Sequence, residues 1–86
     1  MDIQELDDKC HKKLEILGLK GKKIKGRYDA NSWHIGNRRV VVTRRKEKGN
    51  FITVQVEGRW RIRNEAEFDR LCDTCVKPMI AEIKSQ

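Results

Sequence analysis

Residues 20–63 read KGKKIKGRYDANSWHIGNRRVVVTRRKEKGNFITVQVEGRWRIR, and the fold turns on how this stretch divides. Ile52, Val54 and Val56 alternate with Thr53 and Gln55. Trp60 and Ile62 alternate with Arg59, Arg61 and Arg63, and Ile24, Gly26 and Tyr28 with Lys23, Lys25 and Arg27. A two-residue period marks a strand with one buried face, because successive side chains point to opposite sides of the sheet. The sequence therefore predicts strands over Lys23–Asp29, Arg39–Arg45 and Phe51–Val56. Glu57-Gly58 then either turns the chain into a fourth strand, Arg59–Arg63, or bends one long strand. Lys20-Gly21-Lys22 reads as a loop, Asp29-Ala30-Asn31-Ser32 as a turn with an extended Ser32–Ile35 after it, and Lys46–Asn50 as a hairpin loop. Gly36-Asn37 allows a bulge or tight turn before Arg38.

Helical periodicity flanks the strands. Ile3, Leu6, Cys10, Leu14 and Leu17 share one face of a helix over 3–17, with acids leading and Gly18 as its stop. Asn64-Glu65-Ala66-Glu67 has the form of a capping box. It opens a helix over 65–84 whose apolar stripe is Phe68, Leu71, Cys72, Cys75, Val76, Met79, Ile80 and Ile83. Pro78 lacks the N–H that the carbonyl four residues back would accept, so a kink is expected there, or a break with Pro78 in the first turn of a last short helix.

The expected fold class is α+β. It is a two-layer domain spanning 1–86, with an antiparallel sheet of three to four strands in 22–63 and two helices on one face, in the order α-β-β-β(-β)-α. Both helices would cover Ile24, Tyr28, Val54, Val56, Trp60 and Ile62. The opposite face would display Lys23, Lys25, Arg27, Thr53, Gln55, Arg59, Arg61 and Arg63, and a slip of one residue would reverse this.

Charge is as unevenly placed as hydrophobicity. Residues 20–63 hold 14 Lys/Arg and 3 Asp/Glu, while residues 1–19 and 64–86 hold 3 Lys/Arg and 5 Asp/Glu each. The net +7 is thus a basic sheet between two mildly acidic helices. Such polarity points to a polyanion, DNA or RNA, with Lys23, Lys25, Arg27, Arg38, Arg39, Arg44, Arg45, Lys46, Lys48, Arg59, Arg61 and Arg63 as phosphate contacts. The expected function is non-enzymatic nucleic-acid binding. The alternative is a protein-interaction module, a small inhibitor or accessory subunit, docking the same face on an acidic partner, with Trp33 as an exposed stacking or anchor residue. Either a monomer or a homodimer suits this length.

Other chemistries find less support. Cys72-x-x-Cys75 makes a zinc site only if Cys10 and His11 or His34 converge on it. All three cysteines lie on helix apolar stripes, so core packing is expected, with no metal and no cofactor. The odd cysteine count argues against a disulfide framework and for a reducing, cytoplasmic setting. No apolar run approaches the roughly 20 residues of a membrane span, and the acidic start is unlike a signal peptide. Phosphate-binding loops and nucleophile motifs are missing, and His34, Arg38 and Arg39 are the least implausible catalytic group.

The order helix, three strands, helix is similar to that of double-stranded-RNA-binding domains. Such domains typically carry lysines at the start of the last helix. Here that segment is Asn64-Glu65-Ala66-Glu67-Phe68-Asp69, which repels phosphate, so nucleic acid is expected at the sheet face and loops.

Overall fold

The computed structural model describes residues 2–26, 28–45 and 49–85. The chain forms α1 (Ile3–Ile16), β1 (Lys20–Ile24), β2 (Asp29–Ile35), β3 (Arg38–Arg44), β4 (Ile52–Gln55) and β5 (Arg59–Ile62). A C-terminal helical arm follows: α2 (Glu65–Leu71), a π-helical turn (Cys72–Val76) and α3 (Lys77–Lys84). The fold is α+β, with one antiparallel sheet in the order β1-β2-β3-β4-β5. Five strands replace the expected three or four, which also departs from a helix–three strands–helix plan.

The helices begin and end on local chemistry. The Asp2 carboxylate accepts from the Glu5 N–H at 2.9 Å and caps α1. Gly18, at φ +96°, ends it, and the Leu19 N–H returns to the Leu14 carbonyl at 3.1 Å with Leu19 buried. At α2 the Asn64 side chain accepts from the Glu67 N–H at 2.9 Å. The Glu67 carboxylate reaches back one residue beyond the usual box, to the Arg63 N–H at 3.1 Å. Pro78 does not break the helical arm. The ladder widens by one residue just upstream, where the Lys77 N–H bonds to the Cys72 carbonyl, and Pro78 falls in the first turn of α3. Proline lacks a donor for the Thr74 carbonyl and its ring crowds that turn, and the widened turn accommodates both.

The turns settle the strand count. Gly36, at φ +56°, and Asn37 close the β2–β3 hairpin between Ile35 and Arg38, with the left-handed residue first, as in a type II′ turn. Glu57 (φ 50°) and Gly58 (φ 135°) reverse the chain between β4 and β5, so residues 51–63 form a hairpin rather than one bent strand. The indole N–H of Trp60 donates to the Val56 carbonyl at 2.9 Å and ties that turn down.

The first hairpin departs most from expectation. β1 begins at Lys20, directly after Leu19 folds back, and pairs Gly21 with Trp33 and Lys23 with Asn31. The predicted loop Lys20–Lys22 and turn Asp29–Ser32 are both strand, with β1 ending at Ile24 and β2 beginning at Asp29. The alternation in β1 is therefore shifted by one. Ile24 and Tyr28 leave the core and are 38% and 40% exposed, and Lys23 lies on the helix-facing side. Trp60 shares the core side of β5 with Ile62, but lies on an edge strand and stays 43% exposed.

One core results. Leu6, Cys10 and Leu14 of α1 cluster with Trp33, Val40, Val42, Ile52, Val54, Val56 and Ile62 and with Phe68, Leu71, Cys72, Val76, Met79 and Ile80 of the helical arm. The strand members all lie on one side of the sheet by register. Trp33, whose exposure the sequence leaves open, is 6% exposed, and its ring packs against the backbone of Gly21 across the strand pair. A Cβ at Gly21 would sit 2.9 Å from two carbons of that ring, whereas one at Gly26 would meet nothing within 4 Å. Gly21→Ala is therefore expected to lower stability by about 1–3 kcal/mol, the usual effect of overpacking. Gly26→Ala should be near neutral. Urea denaturation of the two variants beside the parent checks this, and equal midpoints would refute the packing.

Candidate nucleic-acid interface

Strand register sorts the cations into two sets. On the helix-facing side, Arg38 and Arg44 are engaged. Arg44 Nε donates to Asp7 at 3.2 Å and its terminal nitrogen to Asp29 at 2.8 Å. Arg38 reaches Glu57 at 3.3 Å and Glu82 at 3.8 Å. Both belong to intramolecular ion pairs. The open side is different. Row by row it carries Lys20, His34 and Arg39, then Lys22, Ser32, Val41, Gln55 and Arg59, then Ile24, Ala30, Thr43, Thr53 and Arg61. Continuing the same alternation by one step adds Tyr28, Arg45, Phe51 and Arg63.

Every charged side chain in those rows is positive. Lys20, Lys22, Arg39, Arg45, Arg59, Arg61 and Arg63 are exposed, and none has an ion-pair partner among the described residues. Lys25 is exposed in the β1–β2 turn. Arg27, Lys46 and Lys48 lie outside the described residues. Of the expected contacts, Arg39, Arg45, Arg59, Arg61 and Arg63 share the open side, and Lys23 does not. Lys20 and Lys22 take the place in β1 assigned to Lys23 and Lys25, because of the one-residue shift.

A shallow cleft opens on this side. It has a volume of about 340 Å³ and is lined by Tyr28, Thr43, Arg45, Phe51, Thr53, Gln55, Arg59 and Arg61. The Arg61 guanidinium carbon lies 5.0 Å from the centre of the Phe51 ring, and that of Arg45 lies 6.0 Å from the Tyr28 ring. Both are within the range at which a ring's negative face attracts a cation. On the same face the Ser32 hydroxyl and His34 Nε2 are 2.8 Å apart.

Beneath the sheet a buried polar chain fixes the register. The Trp33 indole N–H donates to His11 Nδ1 at 3.0 Å, with the two rings stacked at 5.5 Å. An indole nitrogen only donates, so Nδ1 is an acceptor and the imidazole proton sits on Nε2. That nitrogen lies 3.2 Å from Asp7 Oδ1, close enough for electrostatic contact but outside hydrogen-bond geometry, and among the described residues this buried oxygen has no hydrogen-bond partner. The other Asp7 oxygen takes Arg44, and Arg44 takes Asp29. The chain from Trp33 through His11, Asp7 and Arg44 to Asp29 links β2, α1 and β3.

Cys10 and Cys72 lie in the core and Cys75 is half-buried. Burial pushes the Cys72 thiol up to about 11, with Asp69 adding to it. Burial, then Asp7, pushes Cys10 well above the ordinary thiol range. Protonated thiols are poor metal ligands and poor nucleophiles. No group of three metal-ligating side chains converges among the described residues, and none of their helices is long and apolar enough to cross a membrane. Comparison with protein-family models, with curated proteins and with solved structures gives no match.

The two sets of arginines should respond differently to loss. Arg44→Met strands Asp7 and Asp29, whose carboxylates are 8% and 26% exposed. Its cost should fall between the roughly 1 kcal/mol of an exposed pair and the roughly 3–5 kcal/mol of a fully buried one. Arg59→Met, on the open side, should change stability by less than about 0.5 kcal/mol. Thermal and urea unfolding of both variants measure this, and equal effects would contradict the division.

Proposed function

We propose that this protein is a small, non-enzymatic nucleic-acid-binding protein that holds phosphates on the open face of its sheet. The observation that carries the reading is the contrast between the two sides. Arg38 and Arg44, on the helix side, are paired with carboxylates, while seven cations on the other side share their face with no acid among the described residues. A cationic surface left without internal partners raises the local concentration of polyanions and speeds their capture. Five of the seven are arginines, whose planar forks pair with phosphate through two parallel hydrogen bonds.

Phosphate contacts position a nucleic acid without reading its sequence, so discrimination between sequences should be weak. The groups that would read base edges are few: the hydroxyls of Thr43 and Thr53 and the Gln55 amide lie among the arginines. Unpaired thiols, two of them buried, fit a reducing compartment such as the cytoplasm.

Binding of this kind carries a salt signature. If about five phosphates are engaged on a duplex, log affinity should fall against log salt with a slope of roughly −4 to −5. The double variant Arg59→Glu/Arg61→Glu should weaken binding by at least about tenfold and reduce that slope by about 2. A charge-matched control, Lys12→Glu/Lys84→Glu, alters helix surfaces and should keep the slope. Fluorescence anisotropy at three or more salt concentrations reads all of these. Equal losses in both double variants would show that net charge alone, and not this face, governs binding.

A further inference from the structure

We infer that the cleft between Tyr28 and Phe51 takes the unpaired bases of a single strand, so that a single-stranded nucleic acid is the preferred partner. The inference rests on the phosphate-binding reading above and goes beyond it to the form of the ligand. Three observations converge. First, both rings line a cleft on the open face among three arginines, with no acid in its lining, rather than lying in the core. An exposed aromatic surface is disfavoured in water, and on this face the cations leave room for a flat, electron-rich partner. Second, each ring is layered with a guanidinium, Arg61 over Phe51 at 5.0 Å and Arg45 over Tyr28 at 6.0 Å. Each pair thus presents a planar, cationic tier of the kind on which bases stack whatever their identity. Third, the cleft has the concavity that a flat phosphate-binding patch does not need. Its volume of about 340 Å³ falls in the lower range of sites that enclose small molecules.

The register sets the arrangement. Tyr28 adjoins β2 and Phe51 adjoins β4, with Arg45, one residue past the intervening strand β3, between them. Two strand spacings separate the platforms, about 10 Å. Each ring therefore serves a different base, and Arg45 lies where the linking phosphate would pass. Thr43, Thr53 and Gln55 form the floor and offer both donors and acceptors. A duplex keeps its bases stacked on one another and offers this cleft nothing but backbone. Its binding would use only the surrounding cations.

A pair of ligands of equal charge tests the inference without altering the protein. The full chain is titrated, at one salt concentration, with a 12-residue oligothymidylate and with a 12-residue abasic strand of the same phosphate count. Stacking predicts that the thymidylate binds about five- to a hundredfold tighter for each base engaged. Tyr28→Leu/Phe51→Leu should bring the thymidylate down to the abasic affinity and leave the abasic affinity within about twofold. Oligouridylate in place of thymidylate then identifies the preferred sugar. Equal affinity of the parent chain for thymidylate and abasic strands, or tighter binding of a duplex of equal charge, would overturn the stacking site while leaving phosphate binding intact. No binding of any of these at low salt would overturn both.

Discussion

The Trp33 ring lies on the bare backbone of Gly21 while its N–H reaches His11 on α1. Only a residue without a Cβ lets the indole come so close, and only this approach lets the indole meet the helix. From His11 the polar chain continues through Asp7 and Arg44 to Asp29, tying α1 to β2 and β3. Moving β1 by one residue would put Lys20 or Lys22 under the indole. The contact therefore fixes which side of the first hairpin faces the helices, and so which lysines face outward.

That same contact explains what the sequence does and does not disclose. The two apolar helix stripes, the capping residues and the alternation in Ile52–Val56 and Arg59–Arg63 are legible, because burial imposes their period directly. The first hairpin is not. Ile24, Gly26 and Tyr28 mimic an alternating apolar face, while the residue of β1 that meets the Trp33 ring is Gly21, which carries no hydrophobic signal at all. Trp33 follows turn-like residues in the sequence and looks exposed; its burial depends on a partner twelve positions earlier. Asp7 on a helix surface looks like any solvated acid until Arg44 and His11 are brought to it from elsewhere in the fold.

The candidate site was legible in part for the same reason. Arg39, Arg45, Arg59, Arg61 and Arg63 follow from strands whose period is plain. Arg38 and Arg44 are indistinguishable from them by type, yet carboxylates from α1, α3, the β4–β5 turn and β2 claim them. Lys20, Lys22 and the outward Tyr28 are hidden by the shifted hairpin, whereas the alternation of Ile52, Val54 and Val56 already sets Phe51 on the side of Thr53 and Gln55. A count of charges gives the polarity of the molecule; only the register says which charges are left over. The pattern that emerges is economical. Asp7, Asp29, Glu57 and Glu82 pair with the helix-side arginines, and the surplus of base is collected on a face that no acid shares among the described residues.

Chemical-shift mapping by ¹H–¹⁵N NMR during titration with a short oligonucleotide tests that account most directly. Contact through the open face predicts perturbations at the amides and side chains of Thr43, Arg45, Thr53, Gln55, Arg59 and Arg61, with α1 and α3 unchanged. Perturbations concentrated on the helices, or spread evenly over both sides of the sheet, would contradict it.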